Sequence, residues 1–200
     1  MEYQLTRPEA QNGGAAGTAR KTGGLPCWLG TNYVSGNPSS GSPAAPANSN
    51  GTAAPTNATA TASVTEAMVK NVIKDTYESG GEPDMIMCKP DIKQAISDLA
   101  QSVSSLRTNA DKVAPAHVVA AVDVYVSDFG TFQIVPNRNA YQSRDLFVLD
   151  MDYMEIAYLR PFKTETLAKT GDSIQQMLIV EYGLKVNNEA SSGMLCDIKA

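Results

Sequence analysis

The sequence predicts an α+β fold in which helices lie beside a mostly antiparallel sheet. Apolar residues recur at helical spacing in two segments between residues 63 and 103. They alternate with polar residues, as in half-buried strands, over 118–135 and 174–186. A chain of 200 residues is long enough to bury a core between such elements.

Two helices are predicted from their ends as well as their periodicity. Ser63 and Glu66 fit a capping box, and Gly80 and Gly81 end the helix that follows. Pro90 suits the first position of the second helix. The apolar faces are Met68, Val69, Val72, Ile73 and Thr76 in the first helix, and Ile92, Ala95, Ile96, Leu99, Ala100 and Val103 in the second.

One predicted strand lies between these two helices in sequence, and the others follow them. They cover 85–88, 118–126, 131–135 and 146–149. Asp128-Phe129-Gly130 supplies the turn between the second and third strands, because Asp and Gly favour turn conformations. Residues 150–158 fit a helical turn or a strand equally well.

A long β-hairpin is the strongest pattern in the sequence and occupies residues 157–192. Its second strand runs over 174–186, and a shorter β-prone run covers 162–167. Lys169–Ser173 form a polar tip. The even positions of the second strand are mainly apolar, so we expect Leu178, Val180 and Leu184 to lie against a core and Leu178→Asp to unfold the protein.

The composition divides the chain into parts. Residues 35–62 contain no charge, no aromatic side chain and no Val, Ile, Leu or Met, which predicts a flexible low-complexity loop. Residues 1–34 are rich in glycine and predicted to be irregular, with Trp28 packing the segment onto the body. An α+β domain is predicted for 63–156 together with 193–200, apart from the hairpin.

The charge and the cysteines exclude several classes of protein. Sixteen basic and 21 acidic residues give a net charge of −5, which disfavours a dedicated nucleic-acid binder. The sequence has no apolar run of membrane-spanning length and no signal-peptide pattern at its start. Cys27, Cys88 and Cys196 are predicted to be reduced thiols of an intracellular protein.

No catalytic, cofactor or metal site is predicted. Asp128-Phe129-Gly130 matches a kinase triplet without the other kinase motifs, so a turn is the better interpretation. His117 is the single histidine, and no serine or cysteine has nucleophile context around it. Asp150 and Asp152 are interpreted as a solvated pair.

The hairpin carries a resemblance to a known family. Residues 159–162, 167–172, 180–182 and 185–189 are similar to the C-terminal end of tailed-phage major capsid proteins of the Hong Kong 97-type fold. The similarity continues upstream through 121–130 and 135–138 and, more loosely, at 19–25 and 31–32. It implies that 63–156 with 193–200 form an axial domain and that 157–192 form a peripheral one. Because the family is longer at its N-terminus, the chain resembles an N-terminally truncated member.

The resemblance implies a structural subunit that assembles with copies of itself into the icosahedral head around phage DNA. Further implied partners are other virion proteins and, non-specifically, the DNA, with no membrane, cofactor or catalysis. The implied location is the virion, after assembly in the bacterial cytoplasm. An accessory decoration module and, less favoured, a small hydrolase are the alternatives. The candidate interface residues are Arg160, Lys163, Glu165, Lys169, Asp172, Glu181 and Lys185.

Overall fold

A six-stranded sheet with helices on one face forms the centre of the computed structural model, which describes residues 2–10, 21–104, 123–169 and 171–200. The helices are α1 (Glu2–Leu5), α2 (Glu66–Glu78) and α3 (Pro90–Ser104), and Leu25–Cys27 and Met151–Tyr153 form 3₁₀ turns. The strands are β1 (Tyr33–Ser35), β2 (Ala62–Ser63), β3 (Met85–Cys88), β4 (Val124–Ser127), β5 (Gly130–Pro136), β6 (Leu146–Leu149), β7 (Met154–Thr166), β8 (Gln176–Val186), β9 (Gly193–Cys196) and β10 (Ile198–Lys199).

The main sheet has the strand order β1-β9-β6-β3-β5-β4. Three of its neighbouring pairs are antiparallel, as the sequence predicts for most of the sheet. The pairs β1–β9 and β3–β5 are parallel. Two small sheets complete the fold, a parallel β2–β10 pair and the antiparallel β7–β8 hairpin.

Strands β6 and β9 are buried on both faces, and this creates two layers of core. Leu146 pairs with Leu195 and packs in one core with Val72 and Ile73 of α2 and with Ile92 and Ile96 of α3. The side chains of Ala100 and Val103, also predicted on the apolar face of α3, lie outside the described residues. Phe147 pairs with Met194 and packs with Leu25 and other residues on the opposite side of the sheet. Each fully buried large apolar side chain contributes about 1.5–3 kcal/mol.

The predicted helices are present, but the cap of α2 differs from the prediction. Thr65, not Ser63, is the N-cap, and its hydroxyl accepts a hydrogen bond from the Met68 amide at 3.4 Å. Ser63 is extended because it belongs to β2, where it pairs with Lys199. Gly80 follows α2 with a φ of +83°, the left-handed conformation that favours glycine at a helix end.

The region after β6 is a 3₁₀ turn followed by a strand, so each of the two predictions for 150–158 holds for part of the segment. Strand β4 begins at Val124, and residues 118–122 of the predicted strand lie outside the described residues. Tyr125 packs against the helix-side core, whereas Val124 and Val126 are exposed.

The N-terminal part of the chain contributes more to the fold than its composition predicts. Residues 1–34 were expected to be irregular, yet they supply Leu25 and Leu29 to the core and begin β1 at the edge of the main sheet. Trp28 packs closely over Gly51. A Cβ atom at position 51 would lie only 2.5 Å from the indole ring, so a glycine is needed there.

The 35–62 segment is mostly irregular but hydrogen-bonded to the body. Ala44 and Thr56 form an isolated antiparallel bridge, and Ala58 is buried. Its anchors are backbone groups together with small polar side chains such as Asn57, whose amide donates to the Gln142 side chain at 3.0 Å. A composition without large apolar side chains does not reveal these contacts. All three cysteines are buried free thiols.

Candidate assembly surface

The β7–β8 hairpin is the one part of the described chain whose sheet extends away from the core. Its strands are 13 and 11 residues long, and their pairing runs from Met154–Val186 to Thr166–Gln176. The 11 residues of β8 span roughly 35 Å at the usual rise of a strand. The register shifts twice between Tyr158 and Lys163, so β7 is irregular near its middle.

The root of the hairpin is fixed to the body. Met154 and Leu184 pack partly against the core layer formed around Phe147. Just after β8, the Glu189 carboxylate accepts hydrogen bonds from the Thr31 hydroxyl and from the Thr31 amide, the latter at 3.2 Å. These contacts orient the hairpin but leave residues farther along it, such as Phe162 and Leu178, exposed.

One face of the hairpin is apolar and aromatic. The cross-strand pairs Ile156–Leu184, Tyr158–Tyr182 and Thr164–Leu178 share this face. The rings of Tyr158 and Phe162 lie 6.5 Å apart. The exposed fractions are 65% for Leu178, 55% for Phe162 and 47% for Tyr158. We call Ile156, Tyr158, Phe162 and Leu178 the apolar face.

The exposure of Leu178 contradicts the prediction that it is buried. Its alternation with neighbouring residues is as predicted, and Leu184 on the same face does pack at the root. Alternation identifies which residues share a face, but it does not say what covers that face. The sheet extends beyond the body, so Leu178 meets no core.

The opposite face is charged, and its ions pair with one another. Arg160 forms a cross-strand ion pair with Glu181, and Lys185 forms one with Glu155. Lys163 and Glu165 pair along β7 at 3.0 Å. The hydrogen bond from Lys185 lowers the pKa of Glu155 below its ordinary value, and Glu181 raises the pKa of Arg160.

The structure therefore separates the seven candidate interface residues into two groups. Five lie on the charged face: Arg160, Lys163, Glu165, Glu181 and Lys185. Lys169 and Asp172 lie at the exposed tip, and neither belongs to an ion pair within the described ranges. The tip is closed by a hydrogen bond of 2.9 Å from the Leu167 amide to the Gln175 carbonyl.

Sequence reasoning missed the aromatic side chains of β7 as candidate functional residues. Tyr158 and Phe162 come from a run that alternates imperfectly, because the strand contains two register shifts. The high density of large apolar residues between 156 and 162 was a usable signal in the sequence. The structure exposes this run to solvent, with Leu159 80% exposed.

The other motifs have structural roles or fall outside the described residues. Asp150 is buried and not solvated as predicted, and its carboxylate accepts a hydrogen bond from the Asp152 amide at 3.2 Å, so Asp150 caps a 3₁₀ turn that contains Asp152. The turn at 128–129 connects β4 to β5, with Ser127 accepting from the Phe129 amide. His117 lies outside the described residues.

The described residues contain no group of three or more His, Cys, Asp and Glu side chains placed to hold a metal ion. No helix among them has the length and apolarity needed to cross a membrane.

Comparison with known proteins agrees with the capsid resemblance. The profile of the SU10 major capsid protein family matches residues 1–199. The capsid asymmetric unit of cyanophage A-1(L) is structurally similar, with a TM-score of 0.52 and 10% identity over 71% of this chain and 49% of that chain. An encapsulin, from the holo-SrpI complex of Synechococcus elongatus PCC 7942, has a TM-score of 0.45 and 10% identity over 68% of this chain and 50% of its own.

No curated protein matches the sequence. The chain spans about half the length of these two solved proteins. At 10% identity the cyanophage capsid shows the fold alone, which is Hong Kong 97-like. The chain belongs to the SU10 major capsid protein family.

Proposed function

We propose that this chain is a structural capsid subunit that assembles with copies of itself into a phage head, and that its hairpin packs through the apolar face onto a neighbouring copy. Family membership supports the first part. The observation that carries the second is the exposure of Leu178, Phe162 and Tyr158 on one side of a projecting sheet.

An apolar sheet face of this kind is a poor surface to leave in water. Monomeric proteins rarely expose large contiguous apolar patches, and aromatic residues are enriched where proteins meet. A two-stranded sheet is also marginally stable by itself. Cover from a neighbouring copy therefore stabilises the hairpin as well as the assembly.

The charged face has a different role in this proposal. Arg160, Glu181, Glu155 and Lys185 already pair within the hairpin, so a partner is not needed to neutralise them. Exposed ion pairs contribute little to stability and keep a surface soluble. We place the charged face toward solvent or at the edge of the contact, with Lys169 and Asp172 meeting a neighbour at the tip.

The proposal also covers location and chemistry. The chain resides in the virion after assembly in the bacterial cytoplasm, encloses DNA without specific binding, and performs no catalysis. An accessory decoration module would use the same apolar face, but it would dock on a shell made by another protein.

Two neighbouring residues on opposite faces provide a matched test. Leu178→Lys places a charge on the apolar face, whereas Met177→Lys places the same charge on the charged face, opposite Glu165. Both side chains are exposed, so we expect both variants to melt like the wild type. Electron microscopy and sedimentation of each protein should then show particles for the wild type and Met177→Lys only.

Three results would count against the proposal. Normal particles from Leu178→Lys would show that the apolar face is not the contact. Loss of particles in both variants would remove the distinction between faces. A wild-type chain that stays small, yet binds shells of another protein, would favour the decoration module.

A further inference from the structure

Asp197 lies at the corner between β9 and β10, and its side chain forms hydrogen bonds to three residues that are distant in sequence. It is fully buried and has a φ of +60°. Its carboxylate accepts hydrogen bonds from the Ser35 hydroxyl at 2.7 Å, from the Ala58 amide at 2.9 Å and from the Arg144 guanidinium at 2.6 Å. We call Ser35, Ala58, Arg144 and Asp197 the clasp.

The clasp holds the 35–62 segment at both ends. Arg144 also donates to the Ala58 carbonyl at 2.7 Å, so Ala58 is hydrogen-bonded through both its amide and its carbonyl. At the start of β2, the Ala62 amide donates to the Asp197 carbonyl at 2.9 Å. This segment has no large apolar side chain, so polar contacts hold it, the clasp together with hydrogen bonds such as those from Gly36 to Cys196 and from Asn57 to Gln142.

A second carboxylate lies beside the clasp without comparable partners. Asp145 is only 3% exposed, and its Oδ1 atom has no hydrogen-bond partner among the described residues. The Nε of Arg144 is likewise without an acceptor there. Burial raises the pKa of Asp145 to about 7, Arg144 opposes this shift, and Asp197 adds to it.

The remaining titratable groups around Asp145 stay neutral near pH 7. Burial raises the pKa of Tyr33 on β1 and the pKa of Cys196 on β9, and nearby carboxylates add to both shifts. The 35–62 segment contributes no titratable side chain. Two carboxylates and one guanidinium are therefore the charges that matter at this site.

We propose that Asp145 makes the clasp sensitive to protons: a proton on Asp145 tightens the hold on the 35–62 segment, and loss of that proton loosens it. When Asp145 is neutral, it does not compete with Asp197 and Ala58 for hydrogen bonds from the Arg144 guanidinium. With Asp145 ionised, two buried carboxylates compete for one guanidinium, and like charges at close range disfavour the closed state.

The direction in pH follows from proton linkage. A carboxyl group that binds its proton more tightly when closed favours the closed state at low pH. The advantage declines as pH rises from the ordinary Asp range, near 4, to about 7, and is constant above that. If opening exposes Asp145 fully, the opening equilibrium rises by up to about tenfold per pH unit between pH 5 and 7.

Hydrogen exchange of the Ala58 amide measures this opening directly. The experiment uses the full chain between pH 5 and 8, with rates corrected for the intrinsic pH dependence of exchange. We expect wild-type protection to fall as pH rises to 7, Asp145→Asn to show little pH dependence, and Asp128→Asn in the exposed β4–β5 turn to behave like the wild type. Equal pH dependence in wild type and Asp145→Asn would overturn the proposal.

A second measurement decides the matter if Asp145→Asn does not fold. The ¹³C shift of the Asp145 carboxyl group in the wild-type protein should titrate near neutral pH. A midpoint in the ordinary Asp range, about 4, would overturn the proposal regardless of the variant.

Discussion

Replacing Asp197 with alanine should destabilise the protein more than any surface change. The substitution leaves the Arg144 guanidinium without its carboxylate and the buried Ala58 amide without its acceptor. Breaking a fully buried ion pair costs about 3–5 kcal/mol. The Arg144 side chain is 27% exposed, so water offsets part of this and about 2–3 kcal/mol is the better figure.

One further cost applies to the same substitution. An orphaned buried amide costs about 1–3 kcal/mol. The φ of +60° adds little to the difference, because aspartate and alanine both place a Cβ atom in the left-handed region. The sum is about 3–6 kcal/mol, against a typical domain stability of about 5–15 kcal/mol. Asp197→Asn should cost less, about 2 kcal/mol, because Asn tolerates this backbone and keeps one acceptor oxygen.

Urea unfolding followed by the fluorescence of Trp28, the single tryptophan, measures these differences. Asp172→Ala at the exposed tip is the control and should lie within about 0.5 kcal/mol of the wild type. A loss below about 1 kcal/mol for Asp197→Ala would refute the assignment of Asp197 as the residue that holds the three segments together.

Two further predictions concern the tip and the thiols. Lys169→Glu should melt at the same temperature as the wild type but reduce the yield of particles. Wild-type particles should become less stable at high salt, because salt screens exposed charges. An unchanged particle yield for Lys169→Glu would show that the tip is not part of the contact. Burial raises the pKa of Cys27 to about 11 and that of Cys88 to about 12, so iodoacetamide at pH 8 should label these thiols slowly in the native chain and quickly in urea; rapid native labelling, read by mass spectrometry, would contradict their burial.

The helices and the hairpin could be predicted because their signals are local. The spacing of Val69, Val72 and Ile73 identifies the buried face of α2, and all three are buried. The alternation over 174–186 likewise predicts most of β8, which begins at Gln176. The error at Leu178 has a physical origin, since the same alternation describes a face on a core and a face awaiting a partner.

The arrangement of the sheet and the clasp could not be predicted from local patterns. Parallel pairing of Tyr33 with Met194 joins residues far apart in sequence, and neither strand is long enough to be distinctive. Asp197 precedes two residues of strand and resembles an ordinary surface carboxylate in sequence. Its importance comes from Ser35 and Ala58, which the fold brings to it.

The place of β9 in the sheet bears on the order in which the chain folds. This strand lies between β1 and β6, although it follows every other strand of the main sheet in sequence. The sheet therefore remains open on the ribosome until residues 193–196 have emerged, because β1 pairs with no other strand in the described part of the chain. The β7–β8 hairpin has only local pairing and can form earlier, since local contacts form faster than distant ones. During synthesis the hairpin, with its exposed apolar face, thus forms before the main sheet that orients it is complete. We expect nascent chains to be most prone to aggregation between these two steps.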